Sequence, residues 1–213
     1  NSVSSLAKIA ESQVLKWPDK LTTDSRATQK LYKEKFDLNF EYLPSPLDIQ
    51  KFSGISDVTK IENQVAYVGR DSYEKGIDIL KQAEPKIDGN VVYCTDRSWD
   101  DAMKIIKSSQ VIVVPSRMES LPTTVKEAFY LNVPVVATNV GGIPELIKDN
   151  ETGMLVPSEN PDKLADAVNE LLSDKQKAER LANNGNKFIK NHMTWDIILP
   201  KYIQFYEDLL AIS

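Results

Sequence analysis

The chain has 213 residues, 27% of them charged, and carries a formal charge of −5. That length suits one sizeable core, or one domain with part of another, and the acidic balance speaks against general affinity for nucleic acid or anionic membranes. One cysteine, Cys94, and one histidine, His192, exclude an internal disulfide framework and an intrinsic zinc site. No apolar run approaches the length of a bilayer span and no leader is visible, so a reducing, cytoplasmic setting is expected.

Taken in chain order, "SVSSLAKIAESQVLKW" has helical spacing at Val3, Leu6, Ile9 and Val14. "DKLTTDS" reads as a short strand or loop, and "SRATQKLYKEKF" as a helix. "YLPSPLDIQKF", with two prolines in three residues, reads as a linker and places a domain boundary near Pro44 to Lys51. Five short, nearly continuous apolar runs follow: "QVAYVG" (64–69), "NVVYC" (90–94), "VIVVP" (111–115), "VPVVAT" (133–138) and "GMLVP" (153–157). Runs of this kind are expected of strands buried on both faces of a parallel sheet. Helical patterns near 74–84, 99–108, 123–131 and 143–148 separate them, and amphipathic segments near 161–173, 175–190 and 195–211 close the chain. The alternation predicts an α/β fold, a Rossmann-like parallel sheet flanked by helices. Trp195, Ile198, Tyr202, Phe205 and Leu209 form an apolar stripe on the last helix that needs a cover.

In an open parallel sheet, ligands bind beyond the carboxyl ends of the strands, facing the amino ends of the following helices. Arg70 and Lys75 follow the first strand in "VGRDSYEKG", and "SRMESLPTTVKEA" follows the third. Pro122 is expected at the first position of a helix beginning close to Leu121, leaving the amides of Thr123 and Thr124 to face an anion. Arg70 and Lys75 would supply the full charges a diphosphate needs. Glu119 and Glu127 would accept hydrogen bonds from hydroxyls of sugars on either side of the phosphates. Taken singly, each of these residues is an ordinary surface or dipole charge; their convergence on one edge carries the reading. Met118, Phe129 and Tyr130 suit core packing, and His192 suits a cap before the last helix. The acidic groups are scattered, so no metal ligands are assigned.

"VGRDSYEKGIDIL", "VVPSRMESLPTTVKEAFYLNVPVVATNVGGIPELI" and "ETGMLVP" resemble the carboxyl-terminal, donor-binding half of retaining glycosyltransferases. The resemblance is to the glycogen-synthase-like group 1 family of GT-B fold and runs from about Leu21 to Leu210. Glu119 and Glu127 match that family's Glu-x7-Glu signature. The resemblance implies that Arg70 and Lys75 bind the diphosphate of a UDP- or GDP-linked sugar. It implies that Glu127 holds the ribose, and that Glu119 with nearby amides engages the transferred sugar as the catalytic carboxylate. No cofactor and no metal are implied. Residues 1–43 would be a remnant of the amino-terminal acceptor domain, 44–52 the interdomain linker, 53–194 the donor domain and 195–213 a crossover helix. An acceptor glycan, lipid or small molecule would be bound by the missing domain, and peripheral membrane association of the full-length enzyme is compatible with this. The chain alone would not transfer sugar. It departs from the family pattern in having Ser45-Pro46 where Asn-Gly is usual. It also has one strand–helix unit between Gly69 and Val111 where two are usual. The resemblance places that part of the fold around the base, which makes Cys94, Thr95 and Trp99 candidates to line the base site, with packing an equal alternative for Trp99.

Two rival readings stand beside this one. One is a nucleotide-sugar epimerase or hydrolase of the same broad fold. The other is a non-catalytic flavodoxin-like module, although such receiver modules carry acidic groups where this chain has Gly69-Arg70.

Overall fold

In the computed structural model, which describes residues 13–15 and 17–212, two α/β units follow one another. Most of the first expected helix lies outside the described residues. The first unit is a strand Leu21–Thr23 (β1), a helix Arg26–Phe36 (α1) and a strand Phe40–Tyr42 (β2), with the strands paired in parallel so that Leu21 faces Phe40. α1 begins because Ser25 is extended and its hydroxyl accepts the Thr28 amide at 3.1 Å. It ends where Asp37 turns left-handed at φ 53°.

The proline-rich segment after β2 is anchored rather than loose. Leu47 bridges to Thr194, its amide donates to the Met193 carbonyl at 2.6 Å, and Leu47 and Phe52 are both buried. A 3-10 turn over Ile49–Gly54 leads into the second unit.

That unit runs through Gln64–Val68 (β3), Ile77–Ala83 (α2), Asn90–Cys94 (β4), Trp99–Ser108 (α3) and Val111–Val114 (β5). It continues with Thr123–Tyr130 (α4), Val135–Thr138 (β6), Ile143–Leu146 (α5), Met154–Val156 (β7), Pro161–Ser173 (α6) and Lys175–His192 (α7). The five strands are all parallel and lie in the order β4-β3-β5-β6-β7. The chain therefore steps outward from β3 to β4 and then reverses to β5. The reversal makes a crevice between the carboxyl ends of β3 and β5, the place where open sheets of this type take ligands.

Period-two alternation explains the apolar strands. Val65 and Tyr67 point to a cluster with Ile79 and Leu80 of α2 and Leu164 and Val168 of α6. Ala66, Ile112 and Val114 point the other way, to Met103 and Ile106 of α3 and Val125 and Phe129 of α4. Both faces are thus buried, as the sequence predicts.

The last helix, Trp195–Ile212 (α8), carries Pro200 in its interior. Of its expected stripe, Ile198 is buried, Tyr202, Phe205 and Leu209 are half-buried, and Trp195 is exposed. The Tyr202 hydroxyl reaches the Leu43 carbonyl at 3.5 Å, so the helix turns back onto the first unit.

Candidate functional site at the carboxyl edge of the sheet

The expected helix over 74–84 is broken in two. Tyr73–Lys75 forms a 3-10 turn, Gly76 takes φ +66°, and α2 starts after it. The break has a steric cause. A Cβ at residue 76 would lie 2.1 Å from the Pro115 carbonyl oxygen, so only glycine lets the β3 loop sit against the end of β5. Arg117 locks the same junction. Its guanidinium grips both Asp78 oxygens at 2.7 Å, donates to the Tyr73 carbonyl at 2.8 Å and pairs with Glu159.

These constraints bring two expected residues together. Lys75 donates to Glu119 Oε1 at 2.7 Å, and the Ser116 hydroxyl donates to the same oxygen at 2.8 Å. The Glu119 side chain is 9% exposed and that of Lys75 26%. Lys75 is thus held by a carboxylate, where the sequence pattern leaves it free for an anion. Arg70 differs: it is exposed, and its side chain makes no hydrogen bond or ion pair among the described residues. Its backbone is fixed by the Tyr67 hydroxyl, which donates to the Arg70 carbonyl at 2.6 Å.

α4 starts at Thr123, with Pro122 extended at ψ 123° as the residue before it, one position later than the sequence suggested. No side chain caps this end, so the first amides and their partial positive charge face the β3–β5 crevice. Thr123 is exposed there, whereas the Thr124 hydroxyl donates to the Val68 carbonyl at 3.2 Å and ties α4 to the end of β3.

Glu127, one turn into α4, is 8% exposed, and its Oε1 accepts the Trp99 indole N–H at 2.9 Å. Burial pushes its pKa up, while the indole bond and Lys126 pull it back. Lys126 is 1% exposed and points away, donating to the Ser45 carbonyl at 2.8 Å and hydroxyl at 2.9 Å.

A polar seam joins this edge to the first unit. The Glu119 carbonyl accepts the Gly142 amide at 3.2 Å, and Gly141 takes φ +52° with no room for a Cβ, which would lie 1.8 Å from that carbonyl oxygen. Next to Glu119, the Ser120 hydroxyl bonds Asp24, Ser25 at 3.0 Å and Thr28 at 3.1 Å. Glu145 of α5 accepts the amides of Arg26 and Ala27, each at 3.0 Å, and so caps α1.

Several expectations need correction. Met118 is 69% exposed, because it lies in the loop between β5 and α4 rather than on an element facing the core. Phe129 is fully buried as expected, and Tyr130 is half-buried against Phe52 with ring centroids 4.6 Å apart. Cys94 is 3% exposed, so it packs in the core and does not line an open site. His192 ends α7, its ring 5.1 Å from that of Phe188. Sequence reasoning missed Ser116, Arg117, Ser120, Lys126 and Glu145. All but Lys126 are polar residues in or beside the loops after β5 and β6, and loop position was the one signal available for them.

Concavities of about 570 and 500 Å³ lie away from this edge, beside the Ile49–Gly54 turn and between β2 and α8. Among the described residues no three His, Cys, Asp or Glu side chains gather as a metal site would require, and no helix is long and apolar enough to cross a membrane.

Comparison with known proteins agrees with this architecture. Residues 84–188 match the family described as glycosyl transferases group 1. An uncharacterized glycosyltransferase of Methanocaldococcus jannaschii is 29% identical over 202 residues, covering 81% of this chain and 51% of that protein. A GDP-mannose-dependent phosphatidylinositol monomannoside mannosyltransferase of Mycobacterium tuberculosis is 36% identical over 88 residues, covering 41% of this chain and 23% of that one. The chain spans about half the length of the first two curated relatives, 51% and 47%. Among solved structures, sucrose-phosphate synthase of Thermosynechococcus elongatus superposes with a TM-score of 0.82 at 23% identity, over 96% of this chain and 62% of that one. Anabaena HepE in complex with UDP-glucose gives a TM-score of 0.78 at 17% identity, over 96% and 67%. The fold is that of the carboxyl-terminal domain of GT-B glycosyltransferases.

Proposed function

We propose that this chain is the donor-binding half of a retaining group 1 glycosyltransferase, which moves a sugar from a nucleoside diphosphate to an acceptor hydroxyl. In this reading residues 1–43 belong to the acceptor-side domain, 44–52 link it to the donor domain at 53–194, and 195–213 cross back. The observation that carries it is the β3–β5 crevice, where Arg70, the Lys75–Glu119 pair and the uncapped start of α4 share one edge of the sheet. A solved neighbour of the same fold is described with UDP-glucose bound, and a relative is named for its use of GDP-mannose. Both are consistent with a UDP- or GDP-linked donor.

Breaking a glycosidic bond to a nucleoside diphosphate gathers negative charge on the leaving phosphate. Arg70, Lys75 and the α4 amides stabilise that charge more in the transition state than in the ground state, which is what accelerates the step. Binding the diphosphate would draw Lys75 partly away from Glu119 and leave that carboxylate for hydroxyls of the transferred sugar. Glu127 takes the ribose. The acceptor is bound by chain beyond this half, so the 213 residues alone bind donor without transferring it.

Replacing Arg70 or Lys75 by Ala tests the assignment. Each change should weaken nucleoside diphosphate binding by about 1.5–3 kcal/mol, the contribution of a charge-assisted hydrogen bond, and leave nucleoside binding nearly unchanged. Equal losses for both ligands would show a disturbed fold rather than a phosphate site.

A further inference from the structure

Trp99 is the first residue of α3, at the carboxyl edge beside β4, and its indole N–H meets Glu127 Oε1 at 2.9 Å. The ring is braced from behind by Phe52, edge to face with centroids 5.1 Å apart, and Phe52 is braced in turn by Tyr130 at 4.6 Å. Glu127 Oε2 makes no hydrogen bond among the described residues. We propose that Trp99 is a positioning residue: its N–H holds one oxygen of Glu127, fixing the carboxylate so that the other oxygen meets a ribose hydroxyl of the bound nucleotide. The inference rests on the reading of Glu127 as the ribose contact.

The physical case turns on how a carboxylate that is 8% exposed can serve as an acceptor. Without a donor its charged form is disfavoured by burial and its side chain is free to rotate. An indole N–H cures both faults. It is a donor only, it cannot titrate, and it sits on a rigid ring clamped by other aromatics. A mere packing role would need the ring and not the nitrogen.

Trp99→Phe keeps the ring and removes the nitrogen, and calorimetry with UDP, GDP and their 2′-deoxy counterparts provides the readout. The expected result is a three- to tenfold fall in the preference for ribonucleotide, about the effect of one lost ordinary hydrogen bond, because the nitrogen acts on the ribose only through Glu127. Glu127→Ala should remove most of that preference, and adding Trp99→Phe to it should change nothing further. If Glu127→Ala leaves the preference intact, the ribose reading fails and takes the proposal with it. If Glu127→Ala abolishes the preference but Trp99→Phe does not alter it, or alters it equally in both backgrounds, the proposal alone is overturned. A second measurement avoids mutating Trp99. With Trp17 and Trp195, both well exposed, replaced by Phe, Trp99 is the remaining indole of the three in the chain. Its emission should respond to UDP or GDP and not to inorganic diphosphate; an unchanged emission at saturating nucleotide overturns the assignment.

Discussion

Lys126 is the residue whose chemistry is hardest to see in the sequence. It lies next to Glu127, in a stretch that reads as an ordinary helix face, yet it is 1% exposed and burial pushes its pKa down to about 8. Asp24 and Glu127 are the charges that face it and raise it part of the way back. Its folded pKa is below the unfolded value of 10.5, so the unfolded chain binds more protons between about pH 8 and 10.5, and this group's penalty is relieved as pH rises through that window. Lys126→Met should remove the effect. The stability difference between the native chain and the variant should move by about 3 kcal/mol in favour of the native chain from pH 7.5 to 10.5, as read by urea unfolding. A difference that stays flat with pH would mean that Lys126 is not perturbed. The placement of Glu119 before α4 and of Glu127 one turn into it was legible because spacing and a strand-to-helix turn are local. The burial of Lys126 was not, because its cover is Ser45, distant in the chain, and no periodicity reports that.

At the level of elements, all five strands of the main sheet and the helices after them follow from apolar runs and their spacing, since each is set by its own residues. What failed to show were the places where one element meets another. The expected helix over 74–84 breaks at Gly76 because Pro115 of a different loop needs the space. The anchoring of the 44–52 segment and the capping of α1 by Glu145 are likewise contacts between distant parts of the chain. The cap makes a prediction of its own. A carboxylate on two amides at a helix start adds a dipole contribution to its hydrogen bonds, so Glu145→Ala should lower unfolding stability by about 1–2 kcal/mol. A loss confined to a few tenths would show that water replaces the carboxylate without cost. The same seam holds Ser120, the neighbour of Glu119, to Asp24, Ser25 and Thr28. Movement of the first unit would therefore be felt at the site.

For the whole molecule, the decisive feature is a strand order that puts a crevice between β3 and β5. Group transfer asks more than donor binding, because it requires the acceptor hydroxyl held against the donor with water excluded. A donor-turnover assay of the 213-residue chain against a broad acceptor panel should show no glycosyl transfer; robust transfer would refute this division of labour. The measurement that bears most directly on the central claim is calorimetric titration of the chain with UDP, GDP, UDP-glucose and the parent nucleosides, in excess chelator. Basic side chains and helix amides, rather than a cation, are assigned to the diphosphate. At least one nucleoside diphosphate should therefore bind without metal and far more tightly than its nucleoside, and Arg70→Ala should abolish most of that margin. Binding that vanishes in chelator and returns with magnesium, or a diphosphate no tighter than its nucleoside, would contradict the account.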